Sequence, residues 1–304
     1  MNKKYRNSNP DPWAETRPNQ AVRLELDSAR KRRGCLPIGC LTIVFIIAII
    51  AAYFLFPSNQ TILILGIDRS FENTAIGRSD TNILLGVRPL PGTVSVLSIP
   101  RDLWVNIPGY GENRINAAHF FGENDQAGTG PQLAVATIED NFDLQVDHYV
   151  RIQLENFPQV VDAMGGVEIE LETAMAGYPA GTHLLNGTEA LAFVRDRAGT
   201  DDFFRMAQGQ VFLKSFMRTL LNPSSVSNLP GILIASLDTI DTDIPIWQLP
   251  RVAVAVLRSY LTDQIEFVII QREMVVPWLT PAGAQVLLPD WAQIQPLVRK
   301  EFGQ

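Results

Sequence analysis

Residues 61–70 read Thr-Ile-Leu-Ile-Leu-Gly-Ile-Asp-Arg-Ser, an apolar run that ends abruptly at Asp68 and Arg69. A run this short, rich in isoleucine and free of charge, predicts a strand buried on both faces, the kind that helices cover in an α/β sheet. Two further strands are expected at Asp80 to Val87 and Thr93 to Ile99, the second stopped by Pro100. Helical spacing takes over at Gln132 to Phe142 and at Leu154 to Met164, with a short strand, His148 to Ile152, between them. Val167 to Leu171 alternates apolar and acidic residues as an edge strand does, and Asn186-Gly187-Thr188 opens an amphipathic helix through Arg195. Phe203 to Leu221 forms a longer helix; Gln248 to Leu261 reads as helix, Ile265 to Ile270 as a buried strand and Pro289 to Phe302 as a last helix. Strands alternating with helices predict an α/β domain, a layered central mixed β-sheet flanked by helices. The part after about Asn222 fits either an integral piece of that sheet or a small appendage.

The breaks in these apolar runs share a chemistry. Arg stands beside or near Asp in GIDRS (66–70), GRSDT (77–81), IPRD (99–102), FVRDR (193–197) and DDFFR (201–205). A single such pair is usually a weak surface ion pair. Five at strand and helix ends can instead be delivered to one rim. Arg offers a planar fork that matches phosphate oxygens two at a time, and Asp holds a hard cation such as Mg²⁺. The pattern points to a metal-assisted site for a pyrophosphate.

The 304 residues suffice for one large domain with accessories, and 46% hydrophobic residues supply a substantial core. Charge is split along the chain. Residues 1–56 hold nine Lys or Arg against four acids, and the remainder holds sixteen against twenty-eight. The large acidic part excludes a general nucleic-acid footprint, and its only lysines are Lys214 and Lys300. A cation set that is nearly all Arg favours bidentate recognition over diffuse attraction.

Residues 36–56, LPIGCLTIVFIIAIIAAYFLF, carry no charge and as a helix would span roughly 30 Å of hydrocarbon. The expected division is a basic, disordered cytoplasmic tail (1–34), a transmembrane signal-anchor helix (35–56) and an extracytoplasmic domain (57–304). Arg30, Lys31, Arg32 and Arg33 precede the apolar run, which keeps that side in the cytoplasm by the positive-inside rule. The cysteines, Cys35 and Cys40, fall at or inside the membrane boundary, so the domain has no thiol nucleophile and no disulfide.

GIDRS, GRSDTNILLG, SIPRDLWVNIPGYG, NRINAAHFFG, GGVEIEL, LNGTEALAFVRDR and DDFFR, in this order over roughly residues 61–221, resemble the LytR-CpsA-Psr family. The resemblance implies a membrane-anchored, Mg²⁺-dependent phosphotransferase. Such an enzyme takes a glycopolymer from a polyprenyl-pyrophosphate carrier and attaches it to peptidoglycan at the cell membrane. Matched motif by motif, Asp68 and Asp80 would hold Mg²⁺, with Arg78 beside the second. Arg101 would grip the pyrophosphate, and Asp102 would orient it or serve as a base. Arg69, Arg114, Arg195, Arg197, Arg205 and Gln208 would complete the pyrophosphate site. A hydrolase using water as acceptor, and a non-catalytic lipid-glycan-binding protein, remain as alternatives; nucleic acid is not an expected partner.

The family usually places Arg-Gln shortly after the last arginine, whereas here Arg205 is followed by Met206-Ala207-Gln208-Gly209-Gln210. Gly209 then stands in the glutamine's place, and Gln208 or Gln210 would have to reach the same atoms from a different direction. The histidines, His119, His148 and His183, show no triad order or zinc spacing and read as structural or surface residues. Asp201 and Asp202 read first as a solvated helix cap and second as a further metal element. Phe212, Leu213, Phe216 and Leu220 read as core, with a lipid-lining role as the alternative.

Overall fold

The computed structural model describes residues 38–55, 59–68, 76–196 and 202–303. Helix α1 covers Ile38–Leu55, eighteen residues of almost unbroken aliphatic character. At 1.5 Å per residue it is about 27 Å long, and among the described residues no helix is long and apolar enough to cross a membrane. Leu36, Pro37 and Phe56, which complete the apolar run, lie outside the described residues, as do the basic cluster and Cys35.

The domain is built on a meander of three strands, β1 (Gln60–Asp68), β2 (Arg78–Arg88) and β3 (Thr93–Ile99). Both β1 and β3 are buried almost throughout, as uniform apolar runs require. A short hairpin, β4 (Trp104–Ile107) with β5 (Gly111–Arg114), leads to α2 (Ala117–Asp125) and α3 (Gly130–Phe142). The chain returns as β6 (His148–Gln153), parallel to β1. Then follow α4 (Phe157–Met164), a hairpin of β7 (Val167–Leu171) and β8 (Gly181–Leu185), α5 (Gly187–Arg195), α6 (Asp202–Leu220) and α7 (Leu229–Leu237). The remainder comprises β9 (Ile240–Thr242), α8 (Leu249–Leu261), β10 (Ile265–Ile269), a hairpin of β11 (Val275–Leu279) with β12 (Gln285–Pro289), and α9 (Trp291–Phe302).

The central sheet has the order β10-β3-β2-β1-β6-β9. The pairs β10–β3 and β1–β6 are parallel and the other three antiparallel, so it is mixed as expected. Alternation divides the strands between two apolar layers. Leu63, Leu65, Leu84, Leu97 and Ile99 pack with Ala118, Ile138 and Phe142 of α2 and α3 and with Ile294 and Val298 of α9. Ile83, Val87, Val94 and Val96 face the opposite way, toward Ala255 of α8 and Leu213 of α6. A third cluster, separate from the sheet, joins Val160, Val161, Ile169, Leu185, Phe193, Phe212 and Ile232.

Three expectations need correction. Val167–Leu171 has the predicted alternation, but it pairs with β8 in a hairpin outside the central sheet. Ile265–Ile269 is an edge strand, half-buried rather than buried, because only β3 flanks it. Helix α4 begins at Phe157, three residues after the expected start. The stretch after Asn222 is integral to the domain: β9 and β10 form both edges of the sheet, and α9 seals one face.

Candidate active site

The site begins with a break in register. Along β1 and β2 the pairs run regularly to Gly66 with Thr81, then jump to Ile67 with Ser79 and Asp68 with Arg78. Asp80 is the extra residue of this β-bulge, a device that re-aims side chains near functional sites. Consecutive residues of a regular strand face opposite sides, yet Asp80 and Thr81 both line one cleft. Gly66 permits the close approach, since a Cβ there would sit 2.9 Å from Thr81 Cβ.

Pro100 ends β3, and Arg101 turns toward the same place. Its Nη1 lies 2.6 Å from Asp80 Oδ1, and its Nε lies 3.2 Å from Asp202 Oδ1 and 3.6 Å from Asp102 Oδ2. Burial works against its charge, but hydrogen bonding to Asp80 and the fields of Asp80, Asp202 and Asp102 outweigh it and hold its pKa above the ordinary arginine value.

The opposite wall comes from helices. Asn186 and Glu189 form a reciprocal capping box at the start of α5. Gly187 is obligatory there, because a Cβ would come within 2.2 Å of the Pro158 carbonyl oxygen. Helix α5 then ends on Arg195, whose Nη2 pairs with Asp68 Oδ1. Helix α6 starts with Asp202, which also holds Arg205 Nη2 at 2.8 Å. Burial raises the Asp202 pKa above the ordinary value, against the opposing pull of Arg205 and Arg101.

These groups line a cleft of about 640 Å³, its open mouth included. Asp68, Asp80, Arg101, Arg195, Asp202, Arg205, Met206 and Gly209 contribute, over a floor of Thr81, Ile83, Ser98 and Leu154. The buried Nε of Arg195 has no hydrogen-bond partner among the described residues, whereas that of Arg101 faces the carboxylates of Asp202 and Asp102. Arg195 thus keeps a donor to spare, which suits an incoming anion. Asp68 and Asp80 fit a magnesium ion in a particular sense: Mg²⁺ is usually bound through one or two carboxylates plus substrate phosphates. No group of three or more metal-ligating side chains occurs among the described residues.

Other expected site residues lie elsewhere. Gln208 is fully buried and donates through Nε2 to the Phe193 carbonyl near the end of α5, so it braces that helix and does not line the cleft. The helix phase instead brings Gly209 to the cleft. Gln210 turns away to Ser98 Oγ and the Val268 carbonyl. Asp102 and Arg114 form a pair at 3.2 Å outside the cleft lining, and Arg114 also donates to the Gln285 carbonyl. Asp102 touches Arg101 and is positioned to orient it. Arg78 is exposed on the end of β2. Arg69 and Arg197 lie outside the described residues.

Asp202 exceeds its first reading as a solvated cap, since it is largely buried and joins Arg101 to Arg205. Its three-residue spacing from Arg205, one turn apart on a helix, was the available signal. His119 is fully buried, with Nδ1 2.8 Å from the Gly77 carbonyl, and burial lowers its pKa. Phe212 is core, and Phe216 and Leu220 pack against the same cluster.

A mixed α/β sheet whose strand ends and flanking helix ends present arginines and aspartates to one cleft defines a class. The LytR_cpsA_psr family model matches residues 56–295, and the chain belongs to this family. The polyisoprenyl-teichoic acid–peptidoglycan teichoic acid transferase TagU of Oceanobacillus iheyensis is 36% identical over 189 residues, covering 60% of this chain and 58% of that protein. The crystal structure of B. subtilis TagV superposes with a TM-score of 0.65 at 24% identity, over 80% of this chain and 97% of TagV, which shows the fold. A structure described as TagT bound to LI-WTA gives a TM-score of 0.63 at 25% identity, over 81% of this chain and 91% of that one.

Proposed function

We propose that this chain is a membrane-anchored phosphotransferase that moves a glycopolymer, as its glycosyl-1-phosphate, from a polyprenyl-pyrophosphate carrier to a peptidoglycan hydroxyl. The carrying observation is the single cleft that unites Arg101, Arg195 and Arg205 with Asp68 and Asp80. The matched relative's own name describes a teichoic acid transfer to peptidoglycan, which supports a teichoic-acid-like donor. The apolar run of residues 36–56 and the cluster Arg30 to Arg33 support a single-pass anchor with the domain outside.

In the cleft each arginine is held by a carboxylate: Arg195 by Asp68, Arg101 by Asp80, Arg205 by Asp202. A pyrophosphate would exchange these partners. Its oxygens take the guanidinium forks, which spread and neutralise the charge that builds during displacement. Asp68 and Asp80, so released, would hold Mg²⁺, which would supply further charge neutralisation on the phosphate oxygens. The acceptor hydroxyl oxygen bonds to the sugar-side phosphorus, the bond to the bridging oxygen breaks, and polyprenyl phosphate leaves. With Asp68 and Asp80 committed to the cation, Asp202 is the remaining cleft carboxylate, and burial raises its affinity for a proton; as the carboxylate it takes the hydroxyl proton.

The full chain in detergent with Mg²⁺ and a polyprenyl-pyrophosphate glycan should release polyprenyl phosphate and label peptidoglycan fragments. Release that is unaffected by the fragments and leaves them unlabelled would identify a hydrolase. No release in the presence of all components would identify a binding protein.

A further inference from the structure

Exposed apolar side chains concentrate on one stretch after the site. On α7, Leu233, Ile234 and Leu237 are 64%, 69% and 78% exposed, while Ile232 on the opposite side enters the core. Immediately beyond β9, Ile246 and Trp247 are 77% and 66% exposed. Isolated exposed leucines need no explanation, but a run of large apolar groups within so short a stretch marks a contact surface.

The chain's own path says what the contact is. The Tyr53 hydroxyl donates to the Trp247 carbonyl, and the Gln60 side chain, at the start of β1, donates to Gln248 Oε1. Residues on both sides of Phe56, where the apolar run ends, therefore meet the segment that carries Ile246 and Trp247. Phe56 to Gln60 is four residues, at most about 14 Å of extended chain. Resting on the anchor reading above, this places Trp247 at the depth of the bilayer surface.

We infer that the outer face of α7 and the Ile246–Trp247 segment dock onto the phospholipid bilayer that receives the apolar run. Trp is favoured at the interface because its ring is apolar and its N–H is polar. The flanking charges are Asp238, Asp241 and Asp243, with Arg251 alone of opposite sign, its guanidinium over the Tyr53 ring; the acids outnumber it, so apolar insertion holds the surface down, and the contact resists salt. The consequence is functional: the domain sits against the membrane in one orientation, the condition for reaching a carrier whose pyrophosphate lies at the lipid surface.

The test uses the full chain with Cys35→Ser and Cys40→Ser, carrying one new cysteine labelled with an environment-sensitive fluorophore. It is reconstituted into vesicles of phosphatidylcholine and phosphatidylglycerol that contain spin-labelled lipid. Labels at Leu237→Cys and Ile246→Cys should be blue-shifted and quenched several-fold more than one at Leu279→Cys, a residue of comparable exposure at 60%. A label at Ile46→Cys reports the anchor independently. Quenching at Ile46 with Leu237 and Ile246 no different from Leu279 overturns the docking surface and leaves the anchor standing. Absence of quenching at Ile46 overturns both. A blue shift at Leu237 that grows with protein concentration and is insensitive to spin-labelled lipid identifies a second copy on this face, and also overturns it.

Discussion

The two walls of the cleft are built by different means. Asp68, Asp80 and Arg101 come from strand ends fixed by the ladders of β1, β2 and β3, with a bulge to aim Asp80. Arg195, Asp202, Arg205 and Gly209 come from the end of α5 and the start of α6. The strand wall holds both proposed cation ligands and the most heavily paired arginine. The helix wall holds the position, Gly209, that the resemblance assigns to the family's glutamine if no gap intervenes. A rigid wall suits the part of the chemistry that every substrate shares, the cation and the pyrophosphate. A wall made of helix ends can change a side chain without disturbing a ladder, which suits adjustment to a particular donor or acceptor.

The contrast has a ranked set of consequences. Arg101→Ala should lose roughly 100-fold or more in rate, the scale of a lost electrostatic group at a transition state. It removes the strand wall's proposed phosphate donor and takes the Arg101 charge away from Asp80 and Asp202, the latter keeping Arg205. An unchanged rate of polyprenyl phosphate release would remove the strand wall from the chemistry.

A second consequence concerns the support of that wall. His119 is buried against Gly77, the residue before Arg78, and its pKa is lowered from 6.5 by burial. A base with a depressed folded-state pKa binds protons more weakly folded than unfolded. Stability is therefore full above the unfolded value and falls as pH drops through about 6.5. Thermal unfolding should move to lower temperature between pH 7 and pH 5, and in His119→Gln the same interval should show a smaller drop. Equal drops would mean that His119 does not brace the strand wall in its neutral form.

The smallest effect is expected on the helix wall. A Cβ added at Gly209 meets no atom within 4 Å, and the position lines the cleft. Gly209→Gln should raise the rate by a few fold by supplying one more neutral donor to the phosphates. A loss would mean that the open space admits part of the substrate.

The order of the elements could be read from the sequence because apolar runs and helical spacing decide burial. Thr93–Ile99 and the helix through Arg195 are found where those patterns place them. The convergence of the Arg-Asp clusters followed from their places at the ends of these runs. The bulge could not be read, since one extra residue in β2, Asp80 between Ser79 and Thr81, leaves no mark in an apolar pattern. Nor could the choice between Gln208 and Gly209, because the phase of α6 decides which residue enters the cleft, and its mixed face offers no clear stripe. The α7 sequence Leu-Pro-Gly-Ile-Leu-Ile-Ala-Ser-Leu is apolar nearly all round, so its exposed side emerges only from what packs against it.

The central claim is that both walls act on one pyrophosphate, with Asp202 joining Arg101 to Arg205. A double-mutant cycle measures this directly, from rates of Mg²⁺-dependent polyprenyl phosphate release by wild type, Arg101→Ala, Arg205→Ala and the double variant. Groups that share a partner and a ligand should couple by about 0.5–3 kcal/mol, with the double variant losing less than the product of the single losses. Strictly multiplicative losses would mean that the two walls act independently and would contradict the single clamp.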